Sequence, residues 1–343
     1  MKRESCVRQR VILDVVGLLL VLGFVASLST PAAAQYCKAC IIFPVDYPGA
    51  LATECNDFQD LQSPFDGGII VGDYTDTSNV VHGFSYSVPK RTFAKLDYPG
   101  ASMTYAWGVN HHKQIVGYFV DSTNNSHGFV YLPGITRNTF SSLDYPGGIG
   151  TFAFGINDHG EIVGAYFDSS GNKHGFTFFR GSYTSFDISG AIATNAVGVT
   201  NSGNIVGHFF DSSDVQHGFR LVGGIGGTFT QIDYPGSACL RTASSVTCTS
   251  VVREINNPKN PDPFDPVVGL YADAQGTIHG FGLISPPAGP IFEMLDVNMF
   301  GGPFSSAIET RIRGVADSED FAGRWTDANG VVHGFWAEDV GVF

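Results

Sequence analysis

Six histidines recur in one setting, and His beside Asp is a pairing used for proton transfer and for metal ligation. His-Gly-Phe starts at His82, His127, His174, His217, His279 and His333. Six residues before each His lies an Asp: Asp76, Asp121, Asp168, Asp211, Asp273 and Asp327. Two residues before that Asp is an aromatic: Tyr74, Phe119, Tyr166, Phe209, Tyr271 or Trp325. Two before the aromatic is a Gly: Gly72, Gly117, Gly164, Gly207, Gly269 or Gly323. A ring of His and Asp suggests a metal at first sight. The repeat argues otherwise, because a residue used once per unit points within its own unit, whereas one ion needs ligands that converge. Each His is therefore expected to be structural, stacked on its own aromatic and hydrogen-bonded locally. No metal, cofactor or catalytic residue is assigned. Neither Ser-His-Asp order, nucleotide loop nor paired acids can be argued from the spacing.

The elements that position these residues follow from the same spacing. Gly, aromatic and Asp at every second position share one face of a strand. Three residues past the Asp stand Asn79, Asn124, Gly171, Asp214, Gly276 and Gly330, residue types that accept positive φ. Asp opening a type I turn with such a residue in the left-handed position is a three-residue hairpin with a bulge. That register sets the aromatic opposite the His, with the Asp as a diagonal neighbour. The hairpins centre on 70–86, 115–131, 162–178, 205–221, 267–283 and 321–337.

Two further landmarks complete the unit. One is an aromatic or apolar residue four before an Asp: Ile42/Asp46, Phe93/Asp97, Phe140/Asp144, Tyr183/Asp187, Phe229/Asp233 and Phe292/Asp296. Tyr-Pro-Gly follows that Asp in four copies, at Tyr47, Tyr98, Tyr145 and Tyr234, and turns the chain. The other is a segment such as Thr151–Asn157, with Thr104–Asn110 as a second copy. Each unit thus holds four short strands, here A (Thr-x-Ala-x-Gly), B (Ile-Val-Gly), C (His-Gly-Phe) and D (ending in Asp). Four strands in about 45 residues is the blade of a propeller. The chain opens on a D strand at Ile42 and ends on a C strand at His333. The expected fold is all-β, a six-bladed β-propeller closed by the N-terminal strand completing the last blade.

Gly155-Ile-Asn-Asp-His-Gly-Glu-Ile-Val-Gly164 followed by His174-Gly-Phe176 resembles the bacterial extracellular repeat family named for a His-Ala-Phe tripeptide. The resemblance spans nearly all of residues 42–338, with Gly here in place of the Ala. It implies export and a propeller-like fold, and carries over no activity and no catalytic residue.

Residues 1–34 read as an export signal. Lys2, Arg3, Arg8 and Arg10 precede the apolar run Val15–Ala26, and Thr30-Pro31-Ala32-Ala33-Ala34 offers a small-residue cleavage site. The remainder, residues 35–343, is read as the propeller, with no further membrane span. The signal carries four of the 19 basic and two of the 32 acidic residues, so cleavage takes the net charge from −13 to −15. Such acidity argues against nucleic acid and anionic membrane as partners. Five of the six cysteines remain, in a setting that permits disulfides. Cys239 and Cys248 are expected to pair, and Cys37 or Cys40 to bridge to Cys55.

Function is sought where the surface or the symmetry allows it. Tyr98, Tyr145 and Tyr234 lie in turns that share a face with the B–C turns and could form a sugar-stacking surface, although turn chemistry explains them too. Arg253 and Arg313 replace the apolar or aromatic residues of other A strands in units 5 and 6. Either Glu254 and Glu309 pair with them, or an anionic ligand does. The reading is a secreted binding or interaction module for a glycan or a cell-surface protein. The alternatives are an enzyme acting on an anionic small molecule or polysaccharide near Arg253 and Arg313, and a structural envelope protein.

Overall fold

The computed structural model describes residues 40–60, 67–134, 138–235, 237, 239–241, 246–248, 250–255, 267–284, 291–300, 302–316 and 320–339. The export signal, Cys37 and the proline-rich insertion 257–266 lie outside the described residues. So do the side chains of Cys40, Cys239, Cys248, Arg253 and Glu254.

The described chain is all-β, with two short 3-10 turns, Val297–Phe300 and Gly302–Ser306. Unit 1 is an antiparallel sheet of Ala52–Asp60, Gly68–Thr75, Val81–Ser87 and Thr92–Leu96, in chain order A to D. The same four-strand order recurs from Met103 to Leu143, Gly150 to Phe186, Ala193 to Ile232 and Ser250 to Met294. In unit 6 the A, B and C strands are Glu309–Val315, Phe321–Thr326 and Val332–Asp339, and the fourth strand is Cys40–Pro44 from the opposite end of the sequence. The A strand of each unit packs against the A strand of the next, and that of unit 6 against that of unit 1. Among the described residues no helix is long and apolar enough to cross a membrane.

The repeat residues explain this regularity. Asp76 N donates to Val80 O at 2.9 Å and Asn79 N to Asp76 O at 3.0 Å, which makes the three-residue turn. Asn79, Asn124, Gly171, Asp214, Gly276 and Gly330 all take positive φ there. Opposite each B-strand Gly stands the Phe of His-Gly-Phe, as in Gly164↔Phe176 and Gly72↔Phe84. All six of these Phe are fully buried, and a Phe removed from water contributes about 2–3 kcal/mol. The Gly leaves room for the ring: a Cβ on Gly164 would stand 2.7 Å from Phe176. Gly in a strand otherwise weakens it, so its place here is a matter of close approach.

Cys55 is buried and unbridged, which corrects the expected link to Cys37 or Cys40. Its position is set by packing: it sits on the inner strand of unit 1, where a Cβ on Gly334 would come within 2.8 Å of its sulfur. Cys239 and Cys248 are directly opposed in a two-stranded insertion before unit 5. Opposed residues in an antiparallel pair lie ~4.5–5.5 Å apart at Cα, inside the span of a disulfide.

Candidate binding site at the unit junctions

Each repeat His lies across its hairpin from the aromatic: Tyr74↔His82, Phe119↔His127, Tyr166↔His174, Phe209↔His217, Tyr271↔His279 and Trp325↔His333. The rings meet at 4.5–5.3 Å between centroids. Each imidazole also lies between two carboxylates. His82 places Nε2 3.3 Å from Asp76 and Nδ1 3.1 Å from Asp97; His174 places Nε2 3.4 Å from Asp168 and Nδ1 2.7 Å from Asp187. In unit 6 the second carboxylate is Asp46, 3.0 Å from His333 Nδ1. The first Asp was legible as a neighbour from the spacing. The second was visible as a strand end, but its pairing across two strands was not. Among the described residues no group of three or more His, Cys, Asp or Glu is placed to hold a metal ion.

A clamp of this kind should act on stability. His174→Ala is expected to cost ~1–3 kcal/mol through the lost stack on Tyr166 and the lost contacts to Asp187 and Asp168. Thermal melts check it; metal content measured alongside should not change.

The turn tyrosines are not the open platform their position suggested. Tyr98 stacks on Phe119 of the next unit at 3.7 Å, Tyr145 on Tyr166 at 3.6 Å and Tyr234 on Tyr271 at 3.7 Å. The backbone N–H of Tyr98 donates to Thr104 Oγ1 and that of Tyr145 to Thr151 Oγ1, so each turn is pinned to the following A strand. These tyrosines are half-buried joints between units. The edge of Tyr98 still borders a cavity of about 280 Å³ with Asn138 and Phe140.

Arg313 is likewise committed to the protein. Its Nη2 lies 2.8 Å from Glu54 Oε2, its Nη1 donates to Asn56 Oδ1 at 2.9 Å, and its guanidinium sits 5.3 Å from the Trp107 ring. Arg324 pairs with the other oxygen of Glu54 and, at 3.6 Å, with Glu309; Arg311 also pairs with Glu309. The cluster therefore lies where unit 6 meets unit 1, not between units 5 and 6. Its carboxylate for Arg313 is Glu54, which sequence position placed at the far end of the chain. An anionic ligand on Arg313 is thereby corrected; Arg253, the other arginine of that expectation, has its side chain outside the described residues. Arg313→Leu would leave buried Asn56 Oδ1 and half-buried Glu54 Oε2 without the guanidinium they bind. The expected loss is ~3 kcal/mol in chemical unfolding.

Burial pushes Asp73 up to about 7, helped by the charge of Glu54 and opposed by Arg313; burial pushes Asp57 up to about 7 against bonds from Val109 N and Phe58 N. Burial lowers His174 and His279, but the bonds and charges of their paired aspartates outweigh it and hold both above the usual value. All four groups bind protons more tightly folded than unfolded. Their stabilisation is full below the unfolded pKa and is lost as pH rises through the folded one. Melting temperature should therefore fall between pH 6 and pH 8, and a scan of unfolding against pH reads it directly. A flat or rising profile over that window would contradict the assignment.

A larger cavity among the described residues is open to a ligand. It measures about 400 Å³ and lies at the junction of units 2 and 3, lined by Asn125 and Ser126 of a B–C turn, the His127–Asp144 pair, and Ile149 and Thr151 at the start of the next A strand. Asp144 Oδ1 binds His127 Nδ1 at 3.0 Å, and the Asp144 side chain is half-exposed. Ile149 is 60% exposed. This aliphatic position escaped the sequence reading, yet it recurs two residues before the A-strand Thr, as Leu51, Ile149, Ile192 and Ile308. The face carries carboxylate, imidazole, hydroxyl and a bare aliphatic group within one cavity.

No family model matches the chain, and no curated protein matches it. Among solved structures it is similar to a triple arginine-to-alanine mutant of AofleA from Arthrobotrys oligospora, with TM-score 0.48 and 10% identity over 90% of this chain and 94% of that one. It is similar to the fucose-specific lectin from Aleuria aurantia, with TM-score 0.48 and 9% identity over 86% and 93%. It is also similar to an ulvan lyase, with TM-score 0.42 and 10% identity over 85% and 83%. Likeness at this level speaks to neither site nor ligand.

Proposed function

We propose that the chain is an exported six-bladed β-propeller, closed by its N-terminal strand, that serves as a glycan-binding module. Six repeats of one four-stranded sheet, A strands packed in cyclic order, and the pairing of Cys40–Pro44 with Val332–Asp339 support the architecture. The His-Ala-Phe-like repeat and the basic, apolar and small-residue regions of residues 1–34 support export. The observation that carries the function is the junction cavity of about 400 Å³. Saccharides present hydroxyls on their rim and C–H groups on their faces, and the cavity offers acceptors beside an exposed aliphatic chain to match both. Its acidity favours neutral over anionic glycans. The test is binding of purified residues 35–343 to an array of neutral and acidic glycans. Retention of neutral glycans supports the reading; retention of none, or of acidic glycans alone, refutes it.

A further inference from the structure

The six junctions are not equivalent, and the differences fall on the groups that would touch a ligand. At the junction of units 2 and 3 the clamp Asp of one unit and the aliphatic position of the next line one cavity. At the junctions of units 6 and 1, 1 and 2, and 3 and 4 the corresponding position likewise follows the clamp Asp by five residues. At three of the six junctions the Asp side chain is between 44% and 47% exposed: Asp46, Asp144 and Asp187. Those same junctions carry Leu51, Ile149 and Ile192, each about half exposed or more. The other three are blocked or altered. Asp97 is held by Lys95 Nζ at 2.8 Å, and the aliphatic position beyond it is Ser102. Asp233 accepts from Gln231 Nε2 at 2.6 Å, and the same amide reaches His217. Asp296 is only 7% exposed and accepts from Gly280 N, and the two 3-10 turns follow it directly.

We infer that the protein is a trivalent lectin, with saccharide subsites at the junctions of units 6 and 1, 2 and 3, and 3 and 4, built on Asp46 with Leu51, Asp144 with Ile149, and Asp187 with Ile192. This rests on the glycan-binding reading and adds the sites, their number and the ligand class. The ligand is a neutral saccharide with an apolar edge, such as the methyl of a 6-deoxyhexose or of an N-acetyl group, set against the aliphatic chain. At Asp144 and Asp187 one carboxylate oxygen faces the clamp His and the other accepts from sugar hydroxyls; Asp46 uses both oxygens locally, on His333 and Gly334 N, and accepts through remaining lone pairs. Lys95 and Gln231 occupy this acceptor at the blocked junctions, and burial removes it at Asp296. Ile308 is exposed as well, but Asp296, the clamp Asp that precedes it, is buried, so Ile308 is the internal control. Three shallow sites on one face would bind a single sugar weakly and a polymer bearing many copies 10²-fold or more tightly.

The experiment is native mass spectrometry and calorimetry of residues 35–343 with the methyl glycosides of fucose, rhamnose, N-acetylglucosamine and glucose, and with glucuronate. Saturation at three per chain with a 6-deoxy or N-acetyl glycoside is expected. Ile149→Ser should lower it to two, Leu51→Ser with Ile149→Ser and Ile192→Ser should abolish it, and Ile308→Ser should leave three. Saturation at five or six, loss of a site in Ile308→Ser, or full binding by the triple variant would overturn the three-site assignment while leaving the lectin reading intact. Failure of every glycoside, and of polymers that display them, to bind the unmodified protein would overturn both.

Discussion

Gly164→Ala, one added methyl group, is expected to remove about 3 kcal/mol of stability, at the upper end of what overpacking costs. A Cβ there would stand 2.1 Å from the Phe152 carbonyl and 2.7 Å from the Phe176 ring. Neither can yield cheaply. The carbonyl belongs to the A strand, which is held on its other side by the neighbouring unit, and Phe176 is fully buried. The same collision awaits Gly72, Gly117, Gly207, Gly269 and Gly323, where the nearest A-strand carbonyl is 2.0–2.2 Å away. Gly150→Ala is the matched control, because its nearest neighbour would be 3.7 Å off and its φ is not positive. That change should be neutral or slightly stabilising, since Ala restricts the unfolded chain. Chemical unfolding of the two variants side by side decides the matter. Equal midpoints would show that A and B strands can part to admit a methyl group, and that the Gly–Phe contact is not what sets the spacing of the sheet.

The repeat made most of the local architecture legible. A B-strand Gly, an aromatic and an Asp at every second position, followed by a residue fit for positive φ, specify the strand, its face, the turn and the register together. The hairpin register at Tyr166↔His174 was therefore readable before any coordinates. What was not readable depends on contacts between units. Tyr98 occupies a turn, and turns are usually open, but the next unit supplies Phe119 to cover it. Arg313 was read against Glu309, close in sequence, whereas its partner Glu54 comes from the other end of the chain. Inter-unit geometry fixes both, and no spacing within a unit encodes it. The rim aliphatics were missed for a different reason. Exposed Leu and Ile are ordinary on any surface, and only their recurrence before the A-strand Thr sets Leu51, Ile149, Ile192 and Ile308 apart.

Deleting residues 35–48 is expected to make the chain aggregate. The segment supplies the fourth strand of unit 6, pairing Ile42 with Ala337 and Phe43 with Trp336. Its loss uncovers the C strand of that unit as an unpaired edge, and stacked Phe43 no longer shields Trp336. A long apolar edge of this kind invites pairing with another chain. The damage extends inward. Buried Val45 leaves the cluster that holds Cys55 and Phe84, Tyr47 comes off Tyr74, where the rings stack at 3.6 Å, and His333 loses Asp46. Asp46→Asn separates these contributions, because it weakens the His333 clamp and keeps the strand; it should melt earlier without aggregating. Appending the deleted segment after residue 343 should restore solubility, since an edge can be filled from either end of the chain. Light scattering and melting curves on the three proteins give the answer. A truncated chain that does not aggregate and keeps an unchanged melting temperature would mean that unit 6 stands on three strands, and that the N-terminal strand is an accessory to that sheet rather than its completion.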